Sequence, residues 1–227
     1  MDYAQLANDL MTSLELSLPP IAVSFADVVP PDVASFNGVV PAGCVFWQEA
    51  ATRTFATSTQ DHELCAIGTY THNMPQHSSS HPAELQAALQ AMSGLDYVRE
   101  DEVGGIPIVQ RSVRHVIYGP LAGFPVDPEV VLLFAHFRQR LIIREGVARV
   151  DRGLPPALGR PACAVIPQVL NHGNAALSLG CCGARAYLDT LTDNVALWAF
   201  PARKLDQWRV RLALQDGYST SGRLGVG

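Results

Sequence analysis

The chain has 227 residues, 48% of them hydrophobic and only 16% charged, which is ample for a sizeable core and thin for covering a surface. A formal net charge of −5 and the scatter of Lys and Arg argue against a dedicated nucleic-acid binder. No apolar stretch approaches the roughly 18 residues of a membrane span, and the opening "MDYAQLANDLMTSLELSLPP" lacks the basic region of a signal peptide.

These features predict a cytoplasmic protein without nucleic-acid or membrane partners, its five cysteines reduced and open to metal, catalysis or packing. The low charged fraction predicts a homo-oligomer that hides apolar surface, the candidates being the faces of Tyr3–Leu14 and Pro82–Leu95, with a large cofactor cavity as the second explanation.

Tyr3, Leu6, Leu10 and Leu14 share one helical stripe, so the chain is expected to open with an amphipathic helix ended by Pro19 and Pro20. Ile21–Val29 reads as a buried strand, and Pro30, Pro31, Pro41 and Gly43 mark a loop that delivers Cys44. "VFWQEAATR" predicts a short helix and "TFATST" a strand. The segment "QDHELCAIGTYTHNMPQHSSSH" lacks stable periodicity and is expected to be a long functional loop.

Pro82–Leu95 is a predicted helix with proline in its first turn, and "SVRHVIYGPL" is strand-like. "EVVLLFAHFRQRLIIREG" and "NVALWAFPARKLDQWRVRLAL" each read as an apolar strand running into an amphipathic helix. Set 64 residues apart, they align Val131 with Val195 and Leu133 with Leu197, which fits either a weak internal duplication or recurrent strand–helix grammar. "PACAVIPQVLNHG" predicts a short helix kinked around Pro167, and "NAALSLG" a strand ending at Cys181. The expectation is one α+β (mixed α/β) domain over residues 1–217 with a flexible tail, 218–227, and no dinucleotide, P-loop or nucleophile-elbow signature.

Cysteines arrive from separate segments: "PAGCVFW" (Cys44), "DHELCAIG" (Cys65), "RPACAV" (Cys163) and "LGCCGAR" (Cys181, Cys182). Gly43, Gly68, Gly180 and Gly183 each sit within three residues of a thiol, where a missing side chain lets backbone approach an inorganic centre. Four thiolates suit a [4Fe–4S] cluster or a structural zinc. The chain has no CxxC pair, and cysteine packing as a small hydrophobe is the competing reading, most readily for Cys163.

His62, His72, His77 and His81 fall in one segment, and His62 stands three residues before Cys65. Imidazole and thiolate together suit zinc, iron or copper, or a Cys–His nucleophile pair; His77 and His81 read as surface residues of a Ser-rich stretch. Asp61 either caps a turn or orients a ligand. Arg185 neutralises a thiolate-rich centre, holds a substrate carboxylate or makes an ordinary ion pair. Trp47 reads as core, or as a shield over a cofactor.

The blocks "CVFWQEAATRTFATSTQDHELCAIGTYTHNMP" and "SLGCCGAR", with "LPPIAVSF" and "YGPLAGFPVDPEVVLLF", resemble the signature blocks of the prokaryotic family called domain of unknown function 169. The resemblance spans roughly Leu14 to Leu212. It implies that Cys44, Cys65, Cys163 and Cys181 occupy the family's motif positions, with Gly183 and Arg185 completing the last block. Ala66 stands where relatives often carry proline, and Cys182 is outside the pattern, so Cys182 is expected to be a buried or accessory thiol. The family brings no established reaction.

Three functions follow as expectations. The first is one [4Fe–4S] cluster on the four motif cysteines, with a redox partner or with a small-molecule substrate and His62 or His72 as general base. The second is a zinc-stabilised binding or regulatory module. The third is an enzyme with Cys44 or Cys65 as nucleophile and His62 activating it.

Overall fold

A computed structural model describes residues 1–75, 81–96, 98–152, 155–180 and 184–207. The expected α+β class is correct: a seven-stranded mixed sheet carries helices on both faces. The strands are β1 (Ile21–Ala26), β2 (Phe55–Ser58), β3 (His115–Pro120), β4 (Val130–His136), β5 (Ala157–Leu158), β6 (Ala176–Ser178) and β7 (Val195–Pro201). They lie in the order β2-β3-β1-β4-β7-β6-β5, all antiparallel except the short β5–β6 pair.

Successive strand side chains face opposite sides, and here both sides are covered. Ile21, Val23, Phe25, Val130, Leu132, Phe134, Leu197 and Ala199 pack into one core. Ala22, Val131, Leu133, Ala135, Trp198 and Phe200 pack into the other. That double burial explains why these strands read as continuous apolar runs rather than as alternations. Helices α1 (Tyr3–Leu14) and α5 (Phe137–Val150) cover the second core through Leu6, Leu10, Leu14, Ile143 and Val147. The first core is covered by α2 (Val45–Glu49), α6 (Val165–His172) and α7 (Ala184–Tyr187), with α3 (Ala66–Thr71) at its edge and α4 (His81–Gly94) packed on α3.

Several local expectations change. α1 ends at Glu15, whose left-handed conformation (φ 53°) lets its N–H cap the last carbonyls, so Pro19 and Pro20 play no part in stopping it. β1 ends at Ala26 rather than Val29. The supposed long loop contains α3, and His81 opens α4. Pro167 sits in the first turn of α6, where no intrahelical N–H is lost, so the helix starts late instead of kinking.

The apolar face of α1, one of two faces expected to meet another subunit, is spent on the chain's own core. The other, on α4, is largely solvent-exposed, with Leu95 just beyond it 81% exposed. Both strand–helix units begin as expected, β4 running into α5 and β7 into the turn Ala202–Lys204. Among the described residues no helix is long and apolar enough to cross a membrane. His77, Cys181, Cys182, Gly183 and the tail 218–227 lie outside the described residues, as does the side chain of His81.

Candidate functional site

Three of the four expected thiols come together. Cys44 immediately precedes α2, Cys65 immediately precedes α3, and Cys163 lies in a tight turn, Ala162–Ala164, leading into α6. All three line one cavity of about 380 Å³, together with Gly43, Trp47, Gly68 and His72. Cys44 is buried, and Cys65 and Cys163 are partly exposed. Ala184 also lines it, one residue after the segment that holds Cys181 to Gly183. Leu64, Tyr187, Glu63 and Glu84 also line it.

Two of the four glycines expected near a ligand, Gly43 and Gly68, have a local reason to be glycine. A Cβ at Gly43 would lie 2.8 Å from His62 Nδ1 and 3.6 Å from Cys65 Sγ; one at Gly68 would lie 2.9 Å from the same sulfur and 3.4 Å from the same nitrogen. The missing side chains therefore make room for an imidazole and a thiol side by side. His62 is fully buried, and its Nε2 lies 3.2 Å from Thr57 Oγ1, whose hydroxyl donates to the Val116 carbonyl at 3.2 Å. With its single proton committed to Val116, Thr57 accepts from Nε2–H. The Nδ1 lone pair then faces Gly43, Gly68 and Cys65.

His72 caps the C-terminal end of α3, 2% exposed, edge-on to His62 and Phe25 at ring-centroid distances of 5.9 and 5.8 Å. Neither of its ring nitrogens has a hydrogen-bond partner among the described residues, and the same holds for the buried Trp47 Nε1 and Tyr118 hydroxyl. An unmade buried hydrogen bond costs about 1–3 kcal/mol, so native structures carry few. Trp47 and His72 both line the cavity. Tyr118, on β3, lies within electrostatic reach of the thiols. Burial pushes its phenol pKa well above the ordinary value, and Cys163, Cys65 and Cys44 raise it further. Sequence reasoning missed Tyr118, because nothing in "HVIYGP" distinguishes a core tyrosine from one beneath a site.

Burial lowers the His72 pKa from 6.5 to about 4. The unfolded chain therefore binds a proton that the native chain refuses, and stability falls as pH drops from 6.5 towards 4. The span corresponds to about 3 kcal/mol. Thermal melts of the native sequence should lose stability across that window, and His72→Phe should flatten the slope. An unchanged slope in the variant would assign the acid sensitivity to other groups.

Two expected site residues act differently. Arg185 is not among the residues that line the cavity: it donates to the carbonyls of Leu179, Leu191 and Thr192. A planar fork does this and a lysine cannot, so the residue's importance is architectural. Gly180 takes φ +71°, and a Cβ there would lie 2.1 Å from Leu191 Cδ2, which makes Leu191 rather than a cofactor the reason for glycine. Asp61 caps a turn, accepting from the Ser58 N–H and hydroxyl at 2.7 and 2.9 Å and from Gly38 N–H at 3.2 Å.

Among the described residues no three His, Cys, Asp or Glu side chains converge tightly enough to hold one metal ion. No curated protein and no solved structure matches the chain. The chain belongs to the family DUF169, described as uncharacterised ArCR, whose model matches residues 9–208.

Proposed function

We propose that this DUF169 chain holds one [4Fe–4S] cluster on Cys44, Cys65, Cys163 and Cys181, for redox or cluster-dependent chemistry on a small molecule. The observation that carries this reading is that thiols from three distant segments line a single cavity, with the Cys181 segment running directly into its wall at Ala184. A cubane spreads its thiolates about 6–7 Å apart, whereas a lone zinc draws its ligands onto one point. Three thiols from separate segments spread along one cavity wall suit the larger span of the cubane.

Four thiolates would saturate the iron and suit the centre to passing electrons to a partner. With Cys163 only structural, one iron would be open to substrate, and His62 or His72 would be the residue to take a proton. A second reading has one supporting observation of its own. His62 Nδ1 and Cys65 Sγ flank the same two glycines, the arrangement in which an imidazole activates a nucleophilic thiol. In either case the protein is cytoplasmic, where thiols stay reduced, and it self-associates through the exposed face of α4.

The test is anaerobic purification followed by iron, sulfide and zinc analysis. About four iron and four sulfide per chain, with a brown colour, is the expected result. Stoichiometric zinc in a colourless protein would replace the cluster with a zinc module. An absence of both metals, with one hyper-reactive thiol at Cys65, would favour the nucleophile.

A further inference from the structure

We propose that α4 and the turn that follows it, Glu100–Gly105, form a lid over the thiol-lined cavity, opening as one unit while the sheet stays folded. This rests on the reading that the cavity is the functional site, and it holds whichever metal, if any, the thiols carry.

The first observation is where this segment keeps its apolar side chains. Among the described residues none from 81 to 106 belongs to the core on either face of the sheet. Met92, Val98 and Ile106 are buried instead in a small core of their own, with Leu89 and Val103 packed against it. That core reaches the rest of the molecule through Ile67 and Tyr70, both on α3. A satellite cluster joined through so few side chains can come apart at a lower cost than global unfolding.

The second is how the backbone is pinned. Met74 and Val109 flank the segment, and both are buried in the first core. Val109 N–H donates to the Thr71 carbonyl at 2.9 Å, and Asn73 Nδ2 donates to the Val109 carbonyl at 3.0 Å. The chain therefore leaves the main core and re-enters it at one place, just past the end of α3. Inside the segment, Val98 N–H donates to the Met92 carbonyl, Glu102 N–H to that of Arg99 and Ile106 N–H to that of Val103. The Arg99 guanidinium pairs with Asp101 and Glu102. These bonds travel with the segment when it moves.

The third is what the segment covers. Ala88 and Met92, on successive turns of α4, line the cavity that Cys44, Cys65 and Cys163 also line. Met92 belongs both to that wall and to the small core, so loosening the core loosens the wall. A second cleft, of about 300 Å³, is lined by Val98, Glu102, Gly105 and Ile106 and by Arg160, three residues before Cys163. The segment borders the Cys163 turn across open space, which leaves it room to move. Cys44, 8% exposed, is the thiol whose access reports the movement.

The experiment labels the reduced, metal-free full chain with a bulky maleimide and follows Cys44 by peptide mass, at urea concentrations below the unfolding transition. The rate should be nearly independent of urea, because opening the lid alone exposes little surface. Ile106→Ala, in the small core and outside the cavity wall, should raise the rate at least about tenfold and leave the melting temperature near that of the native sequence. Leu10→Ala, in the core on the other face of the sheet, should do the reverse.

A urea slope equal to that of global unfolding would overturn the lid. So would an Ile106→Ala chain that melts as early as Leu10→Ala, or one whose Cys44 is labelled no faster. The urea slope is read on the native sequence, so it decides the matter even where Ile106→Ala does not fold. Iron and sulfide content before metal removal reports separately on the cluster. A chain that never carried iron yet opens locally refutes the cluster and keeps the lid.

Discussion

Cys181→Ser is expected to purify without iron or sulfide, while Cys182→Ser keeps both. Serine is a hard and poorly ionised ligand in place of a soft thiolate, so losing one of four thiolates leaves the centre without a stable fourth corner. The family resemblance assigns Cys181, and not Cys182, to the motif position. Cys182→Ser should cost only about 1 kcal/mol, the scale of placing a hydroxyl in an apolar setting. Metal content and melting temperature of the two variants, measured in parallel, check this. Iron lost from Cys182→Ser and retained in Cys181→Ser would reverse the assignment.

Gly180→Ala should be strongly destabilising for the addition of a single methyl. The left-handed backbone at φ +71° costs an L-residue about 1–2 kcal/mol. The added carbon also overlaps Leu191, which is 2% exposed and hemmed in by the first core. Overpacking of this kind adds about 1–3 kcal/mol, for a total of about 3 kcal/mol or more. Combining it with Leu191→Ala, itself destabilising, should relieve the overlap and leave the backbone cost. A double-mutant cycle should therefore show favourable coupling. Additive losses would place the damage entirely in the backbone.

The elements that were legible share one property, a long run or a clean stripe. Apolar runs announced β1, β3, β4 and β7, and the Leu6–Leu10–Leu14 spacing announced α1. Helix α3 was missed because "AIGTYT" is six residues with a glycine and two threonines, too short for a period and poor in helix propensity. Its helix is imposed by packing. The termination of α1 was misassigned because an αL Glu15 has no sequence mark, whereas a proline pair does.

The site divides the same way. Cys44, Cys65 and Cys163 could be nominated from thiols beside turn residues, and they share a cavity. That Trp47, His72 and Tyr118 find no hydrogen-bond partner among the described residues could not be nominated, since it depends on what surrounds each side chain and not on neighbours in the chain. Arg185 shows the limit of residue type as a guide. A guanidinium beside cysteines suggests an anion site, yet its donors are consumed by main-chain carbonyls.

The strand order also dictates a sequence of events during synthesis. Strands β1 to β4 form a contiguous half-sheet from the first 136 residues, but β7 alone joins β4 to β6 and β5. Until Pro201 has left the ribosome, the edge of β4 presents "VVLLFA" to anything that offers a matching strand. Cys44 and Cys65 exist during that interval, while Cys163 waits for the closing strand to seat the helix that follows it. A nascent chain is then both sticky and incomplete in its thiol set, and any cofactor must be loaded after the last strand has zipped in. Chaperone demand and cofactor delivery thus converge on the same late step, and a chain stopped before Val195 should aggregate rather than persist as a smaller folded domain.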